Sequence, residues 1–243
     1  MSAEKIFGIL DLYNQTRRQL TVSEISNLMD IPQSSVYRHV RVLKENGFLY
    51  ETSNGDYKLG YRFLDFANIV RLDNSLSEIA LPIMKELTNQ FKETTILSVI
   101  SDNFVVCVET VSSPQAVTVS SEQGKIIPLY VGGSSKAILA FQPNDLVDEL
   151  FNKNLVVKHT ENTLATKDEL KANLKEIREK GYSVSDSEID LGVYAYGFPI
   201  KNSKQKVFAS LAIAGPKERM QLKSEHEIVE KFIEAINKIE KYL

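Results

Sequence analysis

The 243-residue chain has one cysteine, Cys107, no tryptophan and three histidines, and no run of about eighteen apolar residues. One cysteine rules out an internal disulfide and is too little for a thiolate zinc site, so Cys107 is expected as a buried strand residue. Without a long apolar run there is no sequence for a spanning helix, and the N-terminus lacks a secretory-signal pattern. A cytoplasmic protein is therefore expected. His39, His159 and His226 have no acid or nucleophile at a supporting spacing, so each is expected to be structural or at the surface. No cofactor and no metal site is expected, and Asp186, Glu188 and Asp190 read as solvated carboxylates of an exposed turn.

A strong excess of one charge is also missing, since the formal net charge is −3. Divided along the chain, residues 1–62 hold eight Lys or Arg against seven Asp or Glu, and the remainder holds 21 against 25. The placement of the cations matters more than their number. From Ser34 to Lys44 there are Arg38, Arg41 and Lys44 and no acid. At about 100° per residue, Ser34, Tyr37, Arg38 and Arg41 share one helix face, while Val36, Val40 and Leu43 share the other. Guanidiniums, a phenol and a hydroxyl suit base edges and phosphate oxygens in a major groove.

The neighbours of this helix support the same reading. Thr21 and Glu24 have capping-box spacing ahead of an apolar stripe of Val22, Ile25, Leu28 and Met29, and Ile31-Pro32 breaks that helix before the next begins. An earlier helix is expected over 3–13. Downstream, two β-prone runs, FLYE and DYKLG, flank an Asn54-Gly55 turn. Together these predict a winged helix-turn-helix in residues 1–60 that binds double-stranded operator DNA through the helix at 33–46. The expected contacts are Gln33, Ser34, Ser35, Tyr37, Arg38 and Arg41, with Arg17, Arg18 and Lys58 on the backbone. Because so few cations serve each head, a homodimer, or a dimer of dimers, is expected to sum their affinity.

Residues 61–92 are expected to form a helical linker and dimerisation region, with a break at Asp73-Asn74 and a kink or restart at Pro82. From Thr94 the period changes to short β-prone runs: TTILSVIS, FVVCVET, AVTVSS, VYAYGFPI and KVFASLAIAG. Helices are expected near 134–141, 144–151, 167–180 and from Ser224 onward. This describes an α+β domain over 93–243 with a mostly antiparallel sheet flanked by helices.

In the last two strands, alternation puts Val193, Ala195 and Gly197 on one face, and Ser210, Ala212 and Ala214 on the matching face. Clearing bulk from one side of two strands leaves two readings open, a closely packed helix or a ligand. Gly132-Gly133-Ser134-Ser135 then opens a helix whose first amides and hydroxyls suit a carboxylate or phosphate. The same Gly-Ser stretch followed by Lys136 admits an alternative from another class, an amidase-like small-molecule hydrolase with a fused DNA-binding module.

Taken as an ordered set, TVSEISNLMDIPQSSVYRHVRVLKENGFL, ALPIMKELTNQFKETTILSV, GGSSKAILAF, IREKGYSVSDSEIDLGVYAYGFPI and FASLAIAGPKERM resemble the IclR family of transcriptional regulators over nearly the whole chain. The resemblance implies a winged helix, a linker helix and a GAF-like domain that binds a small metabolite, often an acid. It also implies a regulator, a repressor more than an activator, and no enzyme. The effector pocket of relatives is matched here by Gly133, Ser134, Ser185, Val193, Ala195, Ala212 and Ala214, and Ser135, which stands where the family usually has glycine, and Phe208 are expected to line it too. Relatives that bind small 2-oxo acids carry an acidic residue in place of Ser185 and serines in place of Ala212 and Ala214. An effector that is an organic acid larger than pyruvate, or aromatic, follows from that difference.

Overall fold

The computed structural model describes residues 2–14, 16–72 and 75–243. The chain divides into two compact units, Met1–Asn74 and Ser75–Leu243.

The first unit begins with α1 (Ser2–Asp11), α2 (Val22–Met29) and α3 (Gln33–Glu45). The capping box forms as expected: Glu24 N–H donates to Thr21 Oγ1 at 3.1 Å, and Thr21 N–H to Glu24 Oε2 at 2.7 Å. Asp30 ends α2 in the left-handed region at φ 51°, and Pro32 stands as the N-cap of α3. Ile9, Ile25, Val36, Val40 and Leu43 make the core between these helices. Strands β1 (Leu49–Glu51) and β2 (Tyr57–Leu59) form the antiparallel wing. Leu20 joins β2 by a reciprocal pair of backbone bonds, 3.0 and 2.8 Å, which fastens the wing to the segment before α2. Helix α4 (Arg62–Leu72) follows. Arg62 ties it back by donating to Asn46 O at 2.8 Å and by lying over the Phe48 ring.

The break expected at Asp73-Asn74 lies outside the described residues. The second unit starts with α5 (Ser75–Phe91), which runs through Pro82 without the expected restart. Its strands are β3 (Thr94–Ser101), β4 (Phe104–Val111), β5 (Ile126–Pro128), β6 (Ser183–Asp186), β7 (Val193–Lys201) and β8 (Val207–Pro216). They form one antiparallel sheet in the order β5-β4-β3-β8-β7-β6. The run AVTVSS, expected as a strand, is an irregular segment, and the strand that edges β4 is Ile126–Pro128 instead. Periodicity alone could not tell the two apart, because pairing with β4 decides the outcome.

Side chains alternate across this sheet. One face, including Leu97, Tyr196, Phe198, Leu211 and Ile213, packs on α5 and on α10 (Glu225–Glu240) through Met84, Phe91, Ile228 and Phe232. The other face carries α6 (Gly133–Leu139), α7 (Asp145–Asn152) and α8 (Lys167–Lys180). Short α9 (Lys217–Gln221) follows β8. The architecture is α+β, with a layer of helices on each side of the sheet.

Candidate nucleic-acid interface and ligand cavity

In the first unit, α3 has two chemically distinct sides. Val36, Val40 and Leu43 are buried, while Gln33, Ser34, Tyr37, Arg38 and Arg41 are exposed. Arg41 is 79% exposed and donates to Glu45 Oε1 at 2.7 Å, so its guanidinium is held along the helix but open to solvent. Lys44 pairs with Glu51 of the wing at 2.6 Å. Ser35 departs from expectation: it is buried, 3.5 Å from His39 Nε2. The i,i+4 spacing that joins Ser35 to His39 carries both onto the inner side of the helix. His39 is held below its ordinary value, first by burial and then by Lys5 and Arg38 nearby. Arg18 is exposed, Lys58 is half-buried, and half-buried Arg17 donates to Leu12 O at 3.4 Å.

In the second unit, the cleared strand face receives α6 at Gly197 and borders a cavity beside it. Ser183, Gly197, Ala212 and Ile96 lie in one row across β6, β7, β8 and β3. Here α6 comes down onto the sheet. A Cβ on Gly197 would sit 2.3 Å from Gly133 O, so only glycine admits the helix, and Ser183 Oγ donates to the same carbonyl at 2.6 Å. Ser185, Ala195 and Ala214 form the neighbouring row. A cavity of about 90 Å³ is lined by Gly133, Ser134, Ser135, Ser185, Val193, Ala195, Ala212 and Ala214.

Phe208 does not reach it; its ring packs with the core on the α5 and α10 side. The irregular segment read as a strand supplies Val119, Ser120 and Ser121 to the wall, a role that no local pattern of these residues signals. Lys125, Ile127, Ile96 and Asp190 also line the cavity and were missed. The Ser135 hydroxyl is buried and has no hydrogen-bond partner among the described residues.

Glu188 corrects the expectation of an exposed acidic turn, since it is buried with Lys136, at 7% and 1% side-chain exposure. Lys136 Nζ donates to Glu188 Oε1, and also to Asn173 Oδ1 and Val184 O at 3.0 Å each. Glu188 Oε2 accepts from Gly132 N–H at 3.0 Å. One carboxylate of the protein's own thus already sits at the start of α6. Lys136 thus ties α6 to α8 and to the segment between β6 and β7. Among the described residues no cluster of His, Cys, Asp or Glu has the arrangement of a metal site, and no helix is long and apolar enough to cross a membrane.

Two family models match the chain: the IclR helix-turn-helix domain over residues 2–53, and the bacterial transcriptional regulator IclR C-terminal domain over residues 70–241. The chain belongs to the IclR family. The HTH-type transcriptional regulator KipR of Bacillus subtilis is 31% identical, over 87% of this chain and 84% of its own. The transcriptional repressor IclR of Escherichia coli is 24% identical, over 87% and 78%. Among solved structures, the Thermotoga maritima IclR superposes with TM-score 0.70 at 26% identity, covering 100% of this chain and 98% of that one. An IclR homolog from Microbacterium hydrocarbonoxydans, solved with 4-hydroxybenzoate, superposes with TM-score 0.81 at 24% identity, over 99% and 98%. This IclR-family chain is a transcriptional regulator with a DNA-binding head and a C-terminal effector domain, not an enzyme.

Proposed function

We propose that this regulator acts as a cytoplasmic repressor that grips operator DNA with α3 and responds to a small organic acid held in the C-terminal cavity. The observation that carries the DNA reading is the sidedness of α3, with Tyr37, Arg38 and Arg41 outward over a buried Val36-Val40-Leu43 stripe. Gln33, Ser34, Tyr37, Arg38 and Arg41 read bases and phosphates, and Arg17, Arg18 and Lys58 hold the backbone; Ser35 supports the helix from within. The domains are assigned as 1–60, 61–92 and 93–243. The linker carries exposed apolar residues, Leu64, Phe66, Ile69 and Val70, whose burial against a second copy would form a homodimer or a dimer of dimers. The cavity, with its alanine floor, suits an acid larger than pyruvate, and the 4-hydroxybenzoate bound by a structural neighbour supports an aromatic one.

Selection of operator sequences with the wild-type chain, followed by gel shifts with Arg38→Ala, tests the head. Loss of a bidentate Arg contact should cost about 1 to 3 kcal/mol of discrimination between matched and mismatched sites. Undiminished selectivity would remove α3 as the reading element. For the cavity, 4-hydroxybenzoate should raise the melting temperature by mass action and glyoxylate should not; the reverse result refutes the size argument.

A further inference from the structure

The charged residues that line the cavity are Lys125, Glu188 and Asp190. Glu188 is occupied within the protein, bonded to Lys136 and to Gly132 N–H. Lys125 and Asp190 remain, both exposed and therefore at the rim. Lys125 sits on a backbone that is held in place: its N–H donates to Glu122 O at 3.0 Å, its carbonyl accepts Cys107 N–H at 2.9 Å, and Gly124 N–H donates to Cys107 O at 2.7 Å. Both Cys107 bonds fasten this turn to β4. The Lys125 ammonium itself makes no ion pair or hydrogen bond among the described residues. The wall is mainly apolar, built by Ile96, Val119, Val193, Ala195, Ala212 and Ala214, with Ser185 among them, and the buried hydroxyls of Ser121 and Ser135 have no partner among the described residues.

We infer that Lys125 is the counter-ion for the carboxylate of the ligand, and that the ligand is a monocarboxylic acid bound with its charged end at the rim and its apolar body inward. This rests on the cavity being the ligand site. Asp190, which makes no ion pair among the described residues, disfavours a second anionic group on the ligand, so a dicarboxylate of equal size should bind more weakly. Ser135 provides a partner for a hydrogen-bonding atom at the inner end of the body.

Calorimetric titration of the full chain with three matched pairs provides the test: benzoate and benzamide, phenylacetate and phenylacetamide, hexanoate and hexanamide. An ion pair near the surface is worth up to about 1 kcal/mol, so the best acid should bind about two- to fivefold more tightly than its amide. Lys125→Gln should erase that preference and Lys125→Arg should keep it. Asp190→Asn should tighten acid binding and leave the amide unchanged. Equal acid affinity in wild type and Lys125→Gln, equal binding of acid and amide, or no binding by any acid overturns the inference. Ala195→Leu, checked by its melting curve, separates the two levels. If it abolishes binding while Lys125→Gln does not, the cavity is the site and the counter-ion assignment is wrong; if it leaves acid binding untouched, the cavity reading itself has failed.

Discussion

Replacing Glu188 with glutamine should destabilise the C-terminal unit by about 3 kcal/mol or more, because it removes the one negative charge facing a buried ammonium. Lys136 is 1% exposed and uses Glu188 Oε1, Asn173 Oδ1 and Val184 O as its three acceptors. The substitution keeps the size of residue 188 but leaves one acceptor where there were two, so that either Gly132 N–H or the Lys136 ammonium faces an amide NH2; the loss is of charge and of one hydrogen bond rather than steric. Breaking one side of a buried ion pair costs about 3 to 5 kcal/mol. For a unit of this size the loss corresponds to a melting temperature lower by about 6 to 12 °C. Urea titration followed by circular dichroism at 222 nm measures it, the chain having no tryptophan to report. The companion variants are Lys136→Met and the pair Lys136→Met with Glu188→Leu. The pair leaves Asn173, Val184 O and Gly132 N–H unpartnered yet no buried charge, so it should cost at least about 2 kcal/mol less than the sum of the two singles. A single-variant cost below about 1 kcal/mol, or additivity within about 0.5 kcal/mol, would refute the view that this pair holds α6 to the β6–β7 turn.

Gly197→Ala should lower the stability of the same unit by about 3 kcal/mol, at the upper end of overpacking costs, because the new methyl meets the Gly133 carbonyl at 2.3 Å and backbone has little room to move; a midpoint in urea equal to wild type would show that α6 can lift freely. Thr21→Ala should cost the head about 1 kcal/mol by removing the cap on α2, read as a lower midpoint in thermal melting. Burial, then Lys5 and Arg38, holds His39 below its ordinary value near 6.5. The unfolded chain therefore takes up a proton first as the pH falls, and the head loses stability from about pH 6.5 downward until the folded form protonates as well. Melting curves between pH 7.5 and 5 should show that slope in the wild type and a flatter one in His39→Gln.

Elements set by local periodicity and caps were legible in the sequence. Helix α3 faces as its 3.6-residue pattern dictates, and the Thr21-Glu24 box forms, because both depend on residues three or four apart. Ser35 escaped because its angular position lies at the edge between the two faces, and its neighbour His39 draws it inward. The pattern of small residues in β7 and β8 was also legible, but a pattern cannot say how space is divided. Gly197 takes the helix backbone against it, whereas Ala195, Ala212 and Ala214 border the cavity beside it.

What stayed hidden were relations between segments far apart in the chain. Glu188 looks like one of three solvated acids when only its neighbours are considered, and its role appears only when Lys136, 52 residues earlier, is brought against it. That single pairing alters the chemistry expected at the cavity. The start of α6 was read as open to an anion from a ligand, but Glu188 already supplies one there, with its charge balanced by Lys136. A ligand carboxylate brought to the same helix start would find the Gly132 N–H and the Lys136 ammonium already taken by Glu188. At the rim, Lys125 offers an ammonium with no partner of its own among the described residues, where the charged end of a ligand keeps much of its hydration. The orientation of the ligand, charged end outward, therefore follows from how the protein satisfies its own buried charges.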